Sequence, residues 1–282
     1  MRGTIRWLAG CLSVAIIIVG WTWGHASDAP RAGTVVGLKA DLEKLREPSG
    51  LWSHGDVDTT FLALQLAPDL LVPQSPRIAK AMRDKLRRHT ALDAATRMKA
   101  LAILRNAGGD STMYAAEIRQ AIARLRTSPV TEATLEPTIS IIDALRLLDP
   151  EVPQVTLRVF PLTTAASRQH ARAALASIDM FANASEIRRD FRSLRPALLH
   201  DVMNQKVPQV LYESLNAIVG LGQASNLDRV RIANDLHRLQ GCSRGGIAYP
   251  SLFRESAASR ESCSLSATWL VLKSGFAFDT AS

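Results

Sequence analysis

The sequence predicts an all-α fold, on three observations. Aromatic residues make up only 5% of the 282-residue chain, while Ala, Leu, Ile and Arg dominate, a bias toward helix formers. Apolar residues recur at helical spacing in about eleven stretches of ordinary length, joined by short polar connections. One stretch, 155–160, has strand character, and it is brief and follows two prolines. With 47% apolar and 21% charged residues the chain can bury a core, which excludes wholesale disorder. Lys and Arg number 34 against 26 Asp and Glu, but the basic residues are scattered along the chain.

The N-terminus is the first informative element. No charge occurs between Arg6 and Asp28, and Arg2 and Arg6 precede the apolar run 12–19. This is the pattern of an export segment whose positive end stays in the cytosol. Gly24-His25-Ala26 supplies small residues for cleavage after Ala26; alternatively, the segment remains as a single membrane anchor. Leu8-Ala9-Gly10-Cys11 spells a lipobox, but the apolar run follows the cysteine instead of preceding it. Each outcome places the rest of the chain outside the cytoplasm. Residues 1–30 are therefore assigned to a signal peptide or transmembrane anchor, and 31–282 to one helical domain.

Within that domain the predicted helices are 36–45, 59–67, 78–89, 92–106, 111–125, 133–148, 163–181, 185–199, 207–219, 227–239 and 264–272. Their limits are set by breakers: Pro48-Ser49-Gly50, the prolines at 68, 73 and 76, Gly108-Gly109, Ser128-Pro129 and Asp149-Pro150. Ser111 reads as an N-cap, with Glu117 in the second turn. No long linker or low-complexity tract divides the domain.

Cysteine usage fits the exported compartment. Cys242 and Cys263 are the only two beyond the export segment, and an even pair there predicts one disulfide; two reduced, half-buried thiols are the alternative. The six histidines never fall at metal-ligand spacing, and no nucleophile elbow, Walker loop or dinucleotide fingerprint occurs. No metal or cofactor is expected. The basic runs 83–89 and 187–195 read as solvated helix faces, with anionic lipid or cell-wall polymer as alternative partners. Nucleic acid is excluded by the compartment.

Four stretches share a small polar start, an inward Thr or Ser and an apolar run: 58–64, 134–148, 212–218 and 264–270. Their spacing is uneven, so they suggest only degenerate helical repeats. The C-terminal stretch is more specific. Leu239-Gln240-Gly241-Cys242-Ser243-Arg244-Gly245-Gly246-Ile247-Ala248-Tyr249-Pro250 precedes Cys263-Ser264-Leu265-Ser266-Ala267-Thr268-Trp269-Leu270. This resembles the repeat of the terpene cyclase and protein prenyltransferase superfamily, in which a helix ending in Leu-Gln meets a Gly-Gly-aromatic turn and a Ser-Leu-x-x-Thr helix. A weaker copy occupies 48–64. The resemblance implies an α/α toroid of inner and outer helices around a cavity. Gly245 and Gly246 would supply positive φ and a close approach, and Gln240 would bond the exposed N–H groups of the next helix.

The same resemblance suggests chemistry at Asp56-Val57-Asp58-Thr59-Thr60. In class II terpene cyclases a related Asp-rich motif protonates an alkene or epoxide, which would make Asp58 the acid and Asp56 its support. Such an acid needs burial and a like charge to hold its proton. Thr59 replaces an expected Asp, and aromatic residues are few. The structural alternative makes Asp56 a helix N-cap and Asp58 a first-turn anion. The prenyltransferase zinc site fits less well, because 264–272 contains no histidine. The expected function is an exported, membrane-tethered binding module for a peptide, lipid or envelope partner; the competing function is a terpenoid cyclase using Asp58.

Overall fold

The computed structural model describes residues 32–48, 50–53, 56–67, 76–88, 92–204 and 207–275. The export segment assigned to residues 1–30 lies outside the described residues. No helix among the described residues is long and apolar enough to cross a membrane.

Twelve α-helices account for most of the described chain: α1 (Ala32–Leu45), α2 (Val57–Leu66), α3 (Pro76–Arg88), α4 (Ala94–Asn106), α5 (Ala115–Thr127), α6 (Leu135–Leu148), α7 (Ala165–Ala176), α8 (Ala184–Asp190), α9 (Arg195–Asn204), α10 (Pro208–Gly220), α11 (Arg229–Leu239) and α12 (Leu265–Ser274). Local chemistry sets many of the ends. Asp56, Asp93, Thr164, Asp228 and Ser264 each accept a backbone N–H from three residues ahead, satisfying a donor that the first helical turn leaves open. Gly275 ends α12 with φ of 74°, a left-handed conformation natural to glycine.

Three boundaries differ from the sequence expectation. Ser111 makes no side-chain cap; Asp110 Oδ1 instead accepts from Thr112 N and Oγ1, and α5 begins only at Ala115. The predicted helix 163–181 stops at Ala176 and continues as a short 3-10 turn, Ile178–Met180. The predicted helix 185–199 is split into α8 and α9. Pro196 has no N–H to donate back to Arg192, so a continuous helix would lose a backbone bond there, and a 3-10 turn at Arg192–Leu194 takes its place.

The fold is mostly helical rather than wholly so. A three-stranded antiparallel sheet, β1 (Gln240–Arg244), β2 (Ile247–Arg254) and β3 (Cys263–Ser264), occupies the stretch expected to be a turn and loop between helices. Gly245 and Gly246, with φ of 57° and 79°, form the two-residue tip of the β1–β2 hairpin, flanked by the Arg244–Ile247 pair. The glycine pair therefore turns one strand into another instead of joining two helices. Nothing lies within 4 Å of where a Cβ would stand on either, so positive φ alone demands glycine there. Gln240 also differs from expectation: its Oε1 meets His237 Nδ1 at 3.2 Å, and the next helix is capped by Ser264. Segment 155–160 is extended but forms only isolated parallel bridges, Val155 to Phe181 and Leu157 to Val130.

Cys242 and Cys263 are joined by a disulfide that closes a 21-residue separation between β1 and β3. A loop of this size contributes about 3 kcal/mol by restricting the unfolded chain.

Six helices pack in a closed circuit: α2 on α4, α4 on α6, α6 on α7, α7 on α10, α10 on α12, and α12 back on α2. All four repeat-like stretches of the sequence fall in this circuit, in α2, α6, α10 and α12. Three of them bury a hydroxyl at the contact: Thr60, Ser214 and Thr268 are fully enclosed. Thr268 Oγ1 donates to Ser264 O at 2.7 Å and accepts from Phe253 N at 3.0 Å.

The buried side chains form two clusters. One gathers α1 to α4, the other α7 to α11, and α6, α12 and β2 contribute to both. The two ends of the described chain are tied at the sheet. The buried Asp41 of α1 accepts from Ser251 N at 2.8 Å and Ser251 Oγ at 2.7 Å, with Lys44 at 3.0 Å. A carboxylate buried this deeply must be fully bonded, and three donors satisfy it.

Candidate functional site

Asp56 and Asp58, the acid pair suggested by the sequence, stand at the start of α2. Asp56 Oδ2 accepts from Thr59 N at 2.7 Å, an N-cap geometry. Asp58 is 56% exposed at its side chain and meets Lys99 Nζ of α4 at 2.6 Å. The enclosure that a proton-donating carboxyl needs is absent at this position.

A different carboxylate, half-buried, stands on the wall of a concavity. Two concavities, of 410 and 280 Å³, lie among the circuit helices and share three lining residues: Asp143 of α6 and Trp269 and Lys273 of α12. The larger adds walls from α7 and α10, including Arg172 and Glu213; the smaller adds Gln65 of α2 and Asp179. Both volumes are close to the roughly 300–1,000 Å³ range of small-molecule sites.

Helical spacing places these side chains together. Glu136, Ser140 and Asp143 are three and four residues apart, so they share one face of α6, opposite the buried Leu135, Ile142 and Leu145. Trp269 and Lys273 are four apart on α12, whose other sides are buried through Leu265, Thr268, Val271 and Leu272. Gln209 and Glu213 repeat the spacing on α10.

Most charges around the concavities are already engaged. Arg172 Nη2 donates to Asp201 at 2.5 Å, Arg146 Nη1 to Asp179 at 2.6 Å, and Gln209 Nε2 to Glu213 at 2.8 Å. Glu136 lies 3.9 Å from His170 Nε2. Asp143 and Lys273 differ: among the described residues, neither has a hydrogen bond or an ion-pair contact. Burial pushes the Asp143 carboxyl above the ordinary carboxylate range, and the positive charges of Lys273 and then Arg146 oppose that rise. Arg172 Nε is likewise buried without an acceptor among the described residues.

A larger concavity, 990 Å³, separates α4, α5 and α6. Its lining is mainly Ala94, Met98, Ala121, Leu125 and Ile141, and its one close charge pair, Arg97 with Glu117, is internally satisfied. It offers space and one exposed cation without an ion-pair contact among the described residues, Arg124, but no unengaged carboxylate beside it. No cluster of three or more His, Cys, Asp or Glu among the described residues is arranged to hold a metal.

Sequence reasoning did not find Asp143 or Lys273. The polar stripe of α6 looks like a solvent face until other helices close in front of it. The available signal was Trp269 with Lys273 one turn later, on a helix otherwise apolar around its circumference.

Comparison with protein-family models, with curated proteins and with solved structures gives no match for this chain.

Proposed function

We propose that the chain is an exported, membrane-tethered α/α toroid of the terpene cyclase and prenyltransferase type, serving as a non-catalytic binding module. In this reading α2, α4, α6, α7, α10 and α12 are the inner helices, and the ligand enters the space they surround. The closed order of helix contacts supports the ring, and the repeat-like stretches on four of its helices agree with it. The export pattern of residues 1–30 supports the compartment.

The observation that carries the binding role is Asp143, a half-buried carboxyl on the wall of a concavity, without a partner among the described residues. Partial burial without a protein donor leaves such a group to be satisfied by water or by a ligand. Catalysis by Asp58 has less in its favour. Its side chain is more than half exposed and ion-paired, and Trp269 is the one aromatic ring lining the two concavities.

The test is a thermal-shift screen of the purified chain against short peptides, lysolipids and cell-wall oligosaccharides, repeated with Asp143→Asn and Trp269→Ala. A ligand at about 100 times its Kd adds about 2.7 kcal/mol to stability. One ligand class should therefore raise Tm by several degrees in the wild type and much less in both variants. No shift from any class, or a shift that both variants preserve, overturns the assignment.

A further inference from the structure

Around the two concavities the charges form a pattern more specific than a generic polar pocket. Arg172 is engaged by Asp201, Arg146 by Asp179 and Glu213 by Gln209. Lys99, whose charge also reaches Asp143, is held by Asp58 at 2.6 Å. Glu213 has only the neutral amide of Gln209, and Glu136 stands 3.9 Å from His170. Asp143 on α6 and Lys273 on α12, on two walls of the same space, have neither a hydrogen bond nor an ion-pair contact among the described residues. They sense each other electrostatically but stop short of an ion pair. Trp269 stands one turn before Lys273 and lines both concavities with them.

A ligand carrying one charge would satisfy one of these groups and strip water from the other. That imbalance weakens binding, because the stranded charge loses water and gains no partner. A ligand carrying both charges satisfies both. Resting on the cavity reading above, we propose that this site binds a zwitterionic short peptide, its free α-ammonium on Asp143 and its carboxylate on Lys273, with the body against Trp269. Charge-assisted hydrogen bonds at the two ends are stronger than neutral ones and fix the peptide's direction. The position of Lys273 in the last turn of α12 leaves its ammonium at the negative end of the helix dipole, where it is favoured before the ligand arrives.

A pH dependence follows. Asp143 binds an ammonium only when ionised, and its folded-state carboxyl titrates above the ordinary range. The charged groups facing it are Lys273 on α12, Arg146 on its own helix, Asp179 after α7 and Lys99 on α4. Affinity for the zwitterion should rise as pH increases through the Asp143 titration and fall again once the peptide's α-ammonium, with a pKa of about 8, loses its proton.

Calorimetric titration of the full chain in detergent micelles tests the proposal, using trialanine, N-acetyl-trialanine, trialanine amide and the neutral sugar chitotriose. Trialanine should bind, and each blocked peptide should bind at least roughly tenfold more weakly, a loss of about 1.4 kcal/mol. Asp143→Asn should abolish the discrimination against the acetylated peptide, and Lys273→Gln that against the amide. The blocked-peptide series needs no variant, so the result survives if either substitution impairs folding. Equal binding of free and blocked peptides overturns the proposal. Chitotriose binding that depends on Trp269, without trialanine binding, overturns the peptide but leaves the cavity as the site. A chain that binds none of the four, and shows no response in the broader ligand screen, loses both.

Discussion

The start of α2 and the middle of α6 each carry an aspartate that bears on function, and the two settings differ in what surrounds the carboxylate. At α2, Asp56 meets a main-chain N–H and Asp58 meets Lys99, so both charges are spent on holding helices in place. In α6, Asp143 is half-buried among other circuit helices and has no partner among the described residues. A carboxylate at a helix N-terminus is favoured by the unpaired N–H groups and the dipole, and needs nothing further. One in the middle of a helix, turned toward an enclosed space, gains nothing from the helix and loses water. The first is a device of local structure; the second is a cost that a ligand can offset.

The largest expected effect concerns whether the enclosed space exists. Gly220 ends α10 where it crosses α7, and a Cβ there would lie 1.8 Å from the Leu175 carbonyl oxygen. In an open helix Gly→Ala is stabilising by roughly 0.5–1 kcal/mol. Here Gly220→Ala should instead cost about 3 kcal/mol, lowering Tm by roughly 10 °C, because backbone must move to admit the methyl group. Thermal unfolding decides the sign; a stabilised variant would mean α7 and α10 do not approach as described, and the cavity wall would go with them.

Next is Asp143→Asn in the absence of ligand. Burial raises the folded-state pKa of Asp143 above its unfolded value of 3.8, so the wild type is penalised once the pH exceeds that value. The variant should gain about 2–4 °C in Tm at neutral pH. That gain should build between pH 3.8 and the folded-state titration, stay level above it and vanish below the ordinary carboxylate range. A loss of stability at neutral pH would show that Asp143 has a structural partner and would remove the contrast with α2.

The smallest effects lie at α2. Asp56→Ala should cost about 1 kcal/mol through the lost cap. Asp58→Asn should cost less, since an ion pair with one exposed member contributes at most about 1 kcal/mol. Urea denaturation orders the two. If Asp58→Asn proved the more damaging, or eliminated ligand binding while Asp56→Ala did not, functional weight would move back to the Asp-rich motif.

Much of the helical content was legible because it follows from spacing. The buried faces of α2, α6, α10 and α12 carry apolar residues at helical intervals, joined by hydroxyls in α2, α10 and α12, and Pro, Gly and Asp mark many of their ends. The break between α8 and α9 was legible too, in Pro196, but an apolar pattern running through it concealed the signal. The sheet was harder to read. Its strands are short and one carries Pro250, and the glycine pair that turns them fits a β-hairpin as well as a turn between helices.

By itself the sequence determined which residues start and stop most helices, that the segment before residue 31 is apolar and basic at its front, and that two cysteines remain to pair. These are consequences of nearest neighbours and of composition. The tertiary structure alone decided that Cys242 and Cys263 are brought together by β1 and β3, and that the polar stripe of α6 lines a concavity whose other walls are helices. A helix carries the same stripe whether it faces solvent or a cavity. The difference arises only when α7, α10 and α12 stand in front of it and strip part of the water from Asp143.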